Sequence, residues 1–125
     1  MQSATREVLT LTASRRAPAQ ARRAVHDFAA AVSPASARTA ELLASELVTN
    51  AVTHGRGPVR VLMEYDARGL AVTVSDDESA APVVADAPPT ATGGRGMRLV
   101  DVLSTSWGVT PDRPGPGKGV WFRLG

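Results

Sequence analysis

Apolar residues recur at three- and four-residue spacing through AELLASELVTNAVTHG, residues 40–55. That spacing places one set of them on a single stripe of a helix: Ala40, Leu43, Ala44, Leu47, Val48 and Ala51. Glu46 and Asn50 lie one helical turn apart and, at about 100° per residue, within roughly a quarter turn of Leu43. A carboxylate and a carboxamide at the edge of a buried stripe need partners, because an unpaired buried charge is costly. We interpret the pair either as a candidate site or as the border of an ordinary helix.

Alternation of apolar and polar positions predicts five strands, which fall near residues 7–12, 59–65, 70–75, 106–110 and 119–124. The second and third strands are joined by a short, turn-rich link, so we expect them to form an antiparallel hairpin. The last two strands are expected to pair in the same way across a turn rich in proline and glycine.

The sequence also predicts a helix before the central one, and it indicates where the central helix begins and ends. A helix is expected from about Pro18 to Val32, because proline is tolerated in a first helical turn. His26 lies on it, in a surface or cap role. Ser33-Pro34 is a start signal for the central helix, and Gly55, which tolerates the left-handed conformation, ends it. His54 stands at that C-terminus, where the helix dipole favours a partly charged imidazole.

The third strand runs directly into three acids, Asp76, Asp77 and Glu78. Adjacent side chains on an extended backbone point to opposite faces, so we expect Asp76 to face inwards instead of joining a metal cluster. Residues 77–93 then show neither a helical nor a strand period and are rich in alanine and proline. A stretch of this length and composition predicts either a functional lid or a disordered segment.

A glycine-rich segment, GGRGMRLVDVL, follows the expected lid and begins a helical stripe at Met97. A glycine-rich loop that opens a helix presents unpaired N–H groups and the positive end of the helix dipole. Gly94, Arg95 and Gly96 are therefore a candidate anion site.

Composition narrows the function classes. Cysteine is absent, which excludes disulfides and thiolate metal sites. Aromatic residues make up 4% of the chain, too few for a base-stacking surface, and the formal net charge is only +2. No apolar run is long enough for a membrane span, and the N-terminus has no apolar signal core. We expect a single cytoplasmic domain that contacts neither membrane nor nucleic acid directly.

The ordered motifs ELVTNAVTH, VTVSD, GGRGMRLV and GKGVWF resemble the ATP-binding domain shared by histidine kinases, type II topoisomerases, Hsp90 and MutL, the GHKL superfamily. The chain looks most like stand-alone bacterial anti-sigma factor serine kinases of the RsbW and SpoIIAB type. The resemblance covers nearly all of residues 1–125. It implies an α+β, two-layer α/β sandwich (the Bergerat ATP-binding fold), whose mixed, mostly antiparallel sheet carries about three helices on one face. ATP would lie between the helices and the lid.

The resemblance also implies roles for individual residues. Asn50 would offer its carboxamide oxygen to Mg²⁺, a hard cation that shares oxygen ligands with phosphates. Glu46 would act in catalysis, orienting or deprotonating the hydroxyl that attacks the γ-phosphate. Asp76 would accept a hydrogen bond from the exocyclic amine of adenine.

Phosphate contacts with ATP or ADP are implied for the glycine loop. The N–H groups around Gly94, Arg95 and Gly96 would cradle phosphates, assisted by the charge of Arg95 or Lys118. His54 and Met97, which lie within the motifs ELVTNAVTH and GGRGMRLV, complete the expected nucleotide-binding set.

Two departures from the family pattern bear on activity. The first glycine box usually continues with glycine soon after its aspartate, where this chain has Asp76-Asp77-Glu78-Ser79. The last box usually carries threonine after its glycine, where this chain has Lys118-Gly119-Val120. Extra carboxylates close to a triphosphate predict weak nucleotide affinity.

The leading hypothesis is an ATP-dependent serine/threonine protein kinase, homodimeric, that regulates a sigma factor by partner switching. Its expected partners are that sigma factor and an anti-sigma factor antagonist, whose Ser or Thr it phosphorylates. The alternative is a catalytically weak or inactive ATP-binding module that sequesters a sigma factor or another regulator. A third interpretation, a small nucleic-acid-binding domain, rests only on the calculated pI of 9.9.

Overall fold

The computed structural model describes residues 4–79, 95–111 and 115–125, and the side chains of residues 95 and 96 lie outside that description. Within these ranges the chain forms five strands and three α-helices. In chain order they are β1 (Thr5–Leu11), α1 (Ala17–Val32), α2 (Ala37–His54), β2 (Val59–Asp66), β3 (Gly69–Asp76), α3 (Arg95–Leu103), β4 (Ser106–Pro111) and β5 (Lys118–Leu124). The elements foreseen from periodicity are all present, with ends that move by a few residues.

The five strands form one sheet in the order β1-β2-β3-β5-β4. Every pairing among the described strands is antiparallel, so the sheet is more uniform than the mixed sheet expected. Its register follows the two-residue alternation, because apolar side chains meet apolar side chains across strands. Val72 at the centre of β3, for example, lies opposite Met63 of β2 and Phe122 of β5.

The helices pack on one face of this sheet, and the structure is therefore a two-layer α/β sandwich. The core between the layers takes the apolar stripe of α2, the inward positions of β2, β3 and β5, and part of α1 and α3. Its largest fully buried side chains are Phe122, Leu43, Met63, Leu70, Met97, Val25, Val48, Val59, Val61, Val72 and Val100. No helix in the described part of the chain is long and apolar enough to cross a membrane.

The central helix begins later than its start signal suggests. Pro34–Ser36 forms a short 3-10 turn, and α2 starts at Ala37. The hydroxyl of Ser33 donates to the hydroxyl of Ser36 at 3.1 Å and caps no backbone N–H, so the serine-proline pair opens the turn and not the helix.

The role foreseen for Gly55 is wrong in one respect. Gly55 follows the last residue of α2, but with φ −89° and ψ −165° its backbone is extended and not left-handed. The reason for a glycine here is a close approach: a Cβ atom would lie 2.7 Å from the carboxylate carbon of Asp76. The end of α2 is therefore held against the end of β3.

Candidate functional site

Glu46 and Asn50 lie on α2 between the buried stripe and solvent, and both side chains are half-buried. They follow buried Leu43 and Leu47, so packing of the stripe fixes the direction in which the polar pair points. Across the described ranges, neither side chain takes part in a hydrogen bond or an ion pair. A partly desolvated carboxylate and carboxamide with open donor and acceptor capacity are suited to a polar ligand.

His54 ends α2 as expected, and its side chain is exposed. It therefore lies one turn beyond Asn50 on the same helix. Its expected contact with nucleotide stays a prediction.

Asp76, at the end of β3, faces the interior as the alternation predicted and is 3% exposed. Its Oδ1 accepts a hydrogen bond from the backbone N–H of Glu78 at 2.7 Å. The ammonium group of Lys118 lies 3.2 Å from Oδ1 and 3.1 Å from Oδ2. The carboxylate expected to bind adenine is thus already in an ion pair.

Lys118 begins β5 directly opposite Asp76 in the antiparallel register, and it is 8% exposed. Its ammonium also donates to the backbone carbonyl of Glu78 at 3.2 Å. Lys118, which was expected to contact phosphate, is therefore bound to Asp76, the residue that was expected to contact adenine. A buried ion pair with this many hydrogen bonds is well compensated for its desolvation.

Two glycines allow the backbone to close around Asp76. A Cβ atom on Gly55 would lie 2.7 Å from both Cγ and Oδ2 of Asp76. A Cβ atom on Gly117 would collide with the Asp76 carbonyl oxygen and lie 2.9 Å from Asp77 Cα. The carboxylate is consequently enclosed by the end of α2 on one side and by the start of β5 on the other.

The two acids that follow Asp76 are also paired. Asp77 Oδ1 lies 3.2 Å from an Arg60 guanidinium nitrogen, and Glu78 Oε2 lies 3.7 Å from that of Arg56. The pair with Arg56 is solvent-exposed and adds little stability, but it still offsets charge. The repulsion of phosphate expected from this acidic run is therefore reduced by one cation for each acid.

The first residues of the expected lid are fixed to their neighbours. Asp77 N–H donates to the Arg56 carbonyl at 2.8 Å, and Glu78 contributes the contacts already described. Residues 80–93, which make up the rest of the expected lid, lie outside the described residues.

The glycine loop is described only in part. Gly94 lies outside the described residues, and Arg95 and Gly96 form the start of α3, which packs against α2. Met97 is 1% exposed and belongs to the core, so its side chain is not available to a ligand. Only the backbone of Met97 can serve the expected phosphate contact, through the first-turn N–H groups that a helix leaves unpaired.

Mg²⁺ is compatible with this donor set. In the described part of the chain, no group of three or more His, Asp or Glu side chains lies close enough to hold a metal by itself. Mg²⁺ ordinarily takes one or two protein ligands and completes its shell with phosphate oxygens and water. The single half-buried carboxamide of Asn50 fits that pattern.

The sequence interpretation missed the pair of Lys118 with Asp76, although a signal for it was present. Lys118 is in phase with Val120, Phe122 and Leu124, the inward positions of β5. A lysine in that phase needs an acid on the same face, and Asp76 had already been placed inwards at the end of β3.

A second missed contact joins the two long helices. Nδ1 of His26 on α1 lies 2.8 Å from Oε2 of Glu41 on α2. The hydrogen bond with Glu41 and its negative charge raise the pKa of His26 above its ordinary value of 6.5. The imidazole is exposed, so the surface role expected for His26 is confirmed.

A family model described as the histidine kinase-like ATPase domain matches residues 11–124. The match includes β2, β3, β4, β5 and all three helices, and with them every candidate site residue. A search of the curated proteins finds no match to the chain.

Proposed function

Because the chain belongs to the family of histidine kinase-like ATPase domains, we propose that it is an ATP-dependent protein serine/threonine kinase that controls a sigma factor by partner switching. The family match supports ATP binding and an ATP-dependent kinase or ATPase activity in general. The protein phosphoacceptor, the serine/threonine specificity and the partners are our proposal.

The observation that carries the proposal is the pair of Glu46 and Asn50 on α2. Both are half-buried, one helical turn apart, and without a side-chain hydrogen bond among the described residues. Their polar atoms reach solvent, because no buried side-chain nitrogen or oxygen in the described residues lacks a hydrogen bond, and a ligand can take the place of that solvent. The unused hydrogen-bonding groups of Glu46 and Asn50 support a site whose remaining partner is a ligand.

The two side chains have different tasks in the proposed reaction. Asn50 would hold Mg²⁺, which would neutralise phosphate charge when bound. The Glu46 carboxylate accepts the proton of a substrate Ser or Thr hydroxyl. The oxygen of that hydroxyl forms a bond to the γ-phosphorus as the bond to the β–γ bridging oxygen breaks, which leaves phosphoprotein and ADP.

The expected phosphoacceptor is an anti-sigma factor antagonist. When no antagonist is bound, the protein would hold the sigma factor. We expect it to act as a homodimer in the cytoplasm, where ATP is available. Phosphorylation adds about two negative charges to the antagonist. The added charge breaks the interface between antagonist and kinase where no arginine is positioned to pair with the phosphate. Release of the antagonist would leave the kinase free to hold the sigma factor.

The buried pair of Asp76 and Lys118 favours a second candidate function, a partner-binding module with weak or no catalysis. The carboxylate expected to recognise adenine is occupied by a cation from the same chain. A module of this kind would sequester a sigma factor or another regulator without phosphate transfer.

A phosphotransfer assay separates the two functions. Purified protein, Mg²⁺ and γ-labelled ATP are incubated with each candidate antagonist, for which products of neighbouring genes are the first choice. The kinase predicts label on a Ser or Thr of one candidate and loss of that label with Glu46→Gln. Absence of label on every candidate, with sigma-factor binding retained, supports the module instead.

A further inference from the structure

Lys118 is the only lysine in the chain, which has 14 Lys and Arg residues in total. It is also buried, which is rare for this residue type unless the charge is paired. Its three ammonium hydrogens have three oxygen acceptors within hydrogen-bond distance: both carboxylate oxygens of Asp76 and the carbonyl of Glu78. The donor capacity of the side chain is therefore used inside the protein.

The oxygens of the Asp76 carboxylate also have most of their hydrogen-bond acceptor capacity in use. Oδ1 of Asp76 accepts from the Glu78 N–H and from the ammonium, and Oδ2 accepts from the ammonium. A Cβ atom on Gly55 would lie 2.7 Å from Oδ2. The carboxylate is 3% exposed, so an adenine amine would have to compete with the ammonium for it. An ammonium is also a stronger donor to a carboxylate than a neutral amine is.

From this geometry we propose that Lys118 is the residue that sets base specificity, because it competes with the nucleobase for Asp76. The proposal rests on the nucleotide site of the proposed function. With Asp76 held by Lys118, the protein binds nucleoside triphosphates through their phosphates and distinguishes adenine from guanine poorly. A site discriminates strongly between bases only when its own polar group must pair with the base.

The first test is calorimetric titration of the full chain with ATP, GTP and inorganic tripolyphosphate, each with Mg²⁺. The wild type is expected to bind ATP and GTP with similar affinity. Lys118→Met, which keeps the reach of the side chain and removes its charge, is expected to bind ATP about tenfold or more tightly, since it frees an ionised acceptor. Its affinities for GTP and tripolyphosphate should not change.

Arg123→Met is the matched control. It removes one positive charge from the same strand, on an outward-facing position whose partner is Asp66 at 3.9 Å. All three affinities should equal those of the wild type. A general effect of net charge on binding would instead appear in both variants.

A second measurement needs no substitution and so does not depend on the folding of a variant. Protein grown with lysine labelled with ¹³C at Cε gives one lysine resonance, that of Lys118. Because the ammonium keeps Asp76 in the complex, saturating ATP is expected to leave this resonance where GTP and tripolyphosphate leave it. A shift specific to ATP would show that the base displaces the lysine.

The outcomes separate the two levels of the proposal. If ATP alone shifts the lysine resonance, or if ATP binds no more tightly to Lys118→Met than to the wild type, the competition is refuted while the nucleotide site stands. If Lys118→Met weakens ATP and tripolyphosphate alike, Lys118 is a phosphate contact and the proposal is wrong. Absence of binding for all three ligands in every variant refutes the proposed function, and with it this inference.

Discussion

The polar pair on α2 and the polar pair formed where β3 ends and β5 begins differ in burial and in partners. Glu46 and Asn50 are half-buried and make no side-chain bond among the described residues. Asp76 and Lys118 are buried, and each satisfies the other at 3.1–3.2 Å. The family match covers both pairs, yet only the first has open capacity for a ligand.

This difference shows that a family residue in its expected place is not automatically ready for its expected role. Asp76 has the identity, the strand position and the inward direction foreseen for it. What differs is the neighbour across the strand pair, where a long cation stands at Lys118. Whether Asp76 can bind a ligand depends on how many donors within the protein already use the lone pairs of its carboxylate.

The largest expected effect concerns catalysis on α2. Glu46→Gln should leave Mg²⁺-dependent ATP binding intact and reduce phosphate transfer by about 10²–10⁴-fold, the usual contribution of a general base. Glu41→Gln, on the same helix but bonded to His26, is the matched control and should transfer phosphate at the wild-type rate. Transfer by Glu46→Gln at the wild-type rate would exclude Glu46 as the base.

The next effect concerns the stability that the buried pair of Asp76 and Lys118 contributes at the ends of β3 and β5. Lys118→Met leaves the Asp76 carboxylate buried without its cation and should lower the free energy of unfolding by about 3–5 kcal/mol. Urea denaturation measures the loss. Arg68→Met removes an exposed ion pair, in which the Arg68 guanidinium lies 3.6 Å from Asp66, and should cost much less stability than Lys118→Met. Equal losses in the two variants would show that burial does not strengthen the Asp76 pair.

Gly55 connects the two regions, because it ends α2 and packs against Asp76. Gly55→Ala places a methyl group against the Ala51 carbonyl and 2.7 Å from Asp76 Oδ2, so it should destabilise the fold by about 1–3 kcal/mol. The backbone at Gly55 is extended and would accept alanine without strain. A neutral or stabilising substitution, measured by denaturation, would therefore disprove the close approach itself.

The smallest effect is a pH dependence at a pair that is neither buried nor part of the site. Glu41 raises the pKa of His26 in the folded protein, so protonation of His26 favours the fold. This contribution is complete below the ordinary histidine pKa of 6.5 and is lost as pH rises through the raised value. The stability difference between wild type and His26→Gln should therefore be larger at about pH 5.5 than at about pH 8.5. A difference that does not change with pH would show that His26 is not coupled to Glu41.

Periodicity predicted the elements well because each one has an apolar face that the core requires. The α2 stripe and the alternation in β2, β3 and β5 gave the two layers and the inward direction of Asp76. The pair with Lys118 and the contact between Gly55 and Asp76 are long-range and depend on strand order and register. Neither is encoded in local spacing, although the phase of Lys118 in β5 was a usable sign.

The central claim, that α2 carries an open nucleotide site, is tested most directly by calorimetric titration of wild type and Asn50→Ala with ATP, in Mg²⁺ and in EDTA. Thr49→Ala is the control, since Thr49 is exposed and its hydroxyl bonds to the Ser45 carbonyl on the same helix. The account predicts Mg²⁺-dependent binding in wild type and Thr49→Ala and its loss in Asn50→Ala. Absence of binding by the wild type at millimolar ATP with Mg²⁺, or undiminished binding by Asn50→Ala, would contradict it.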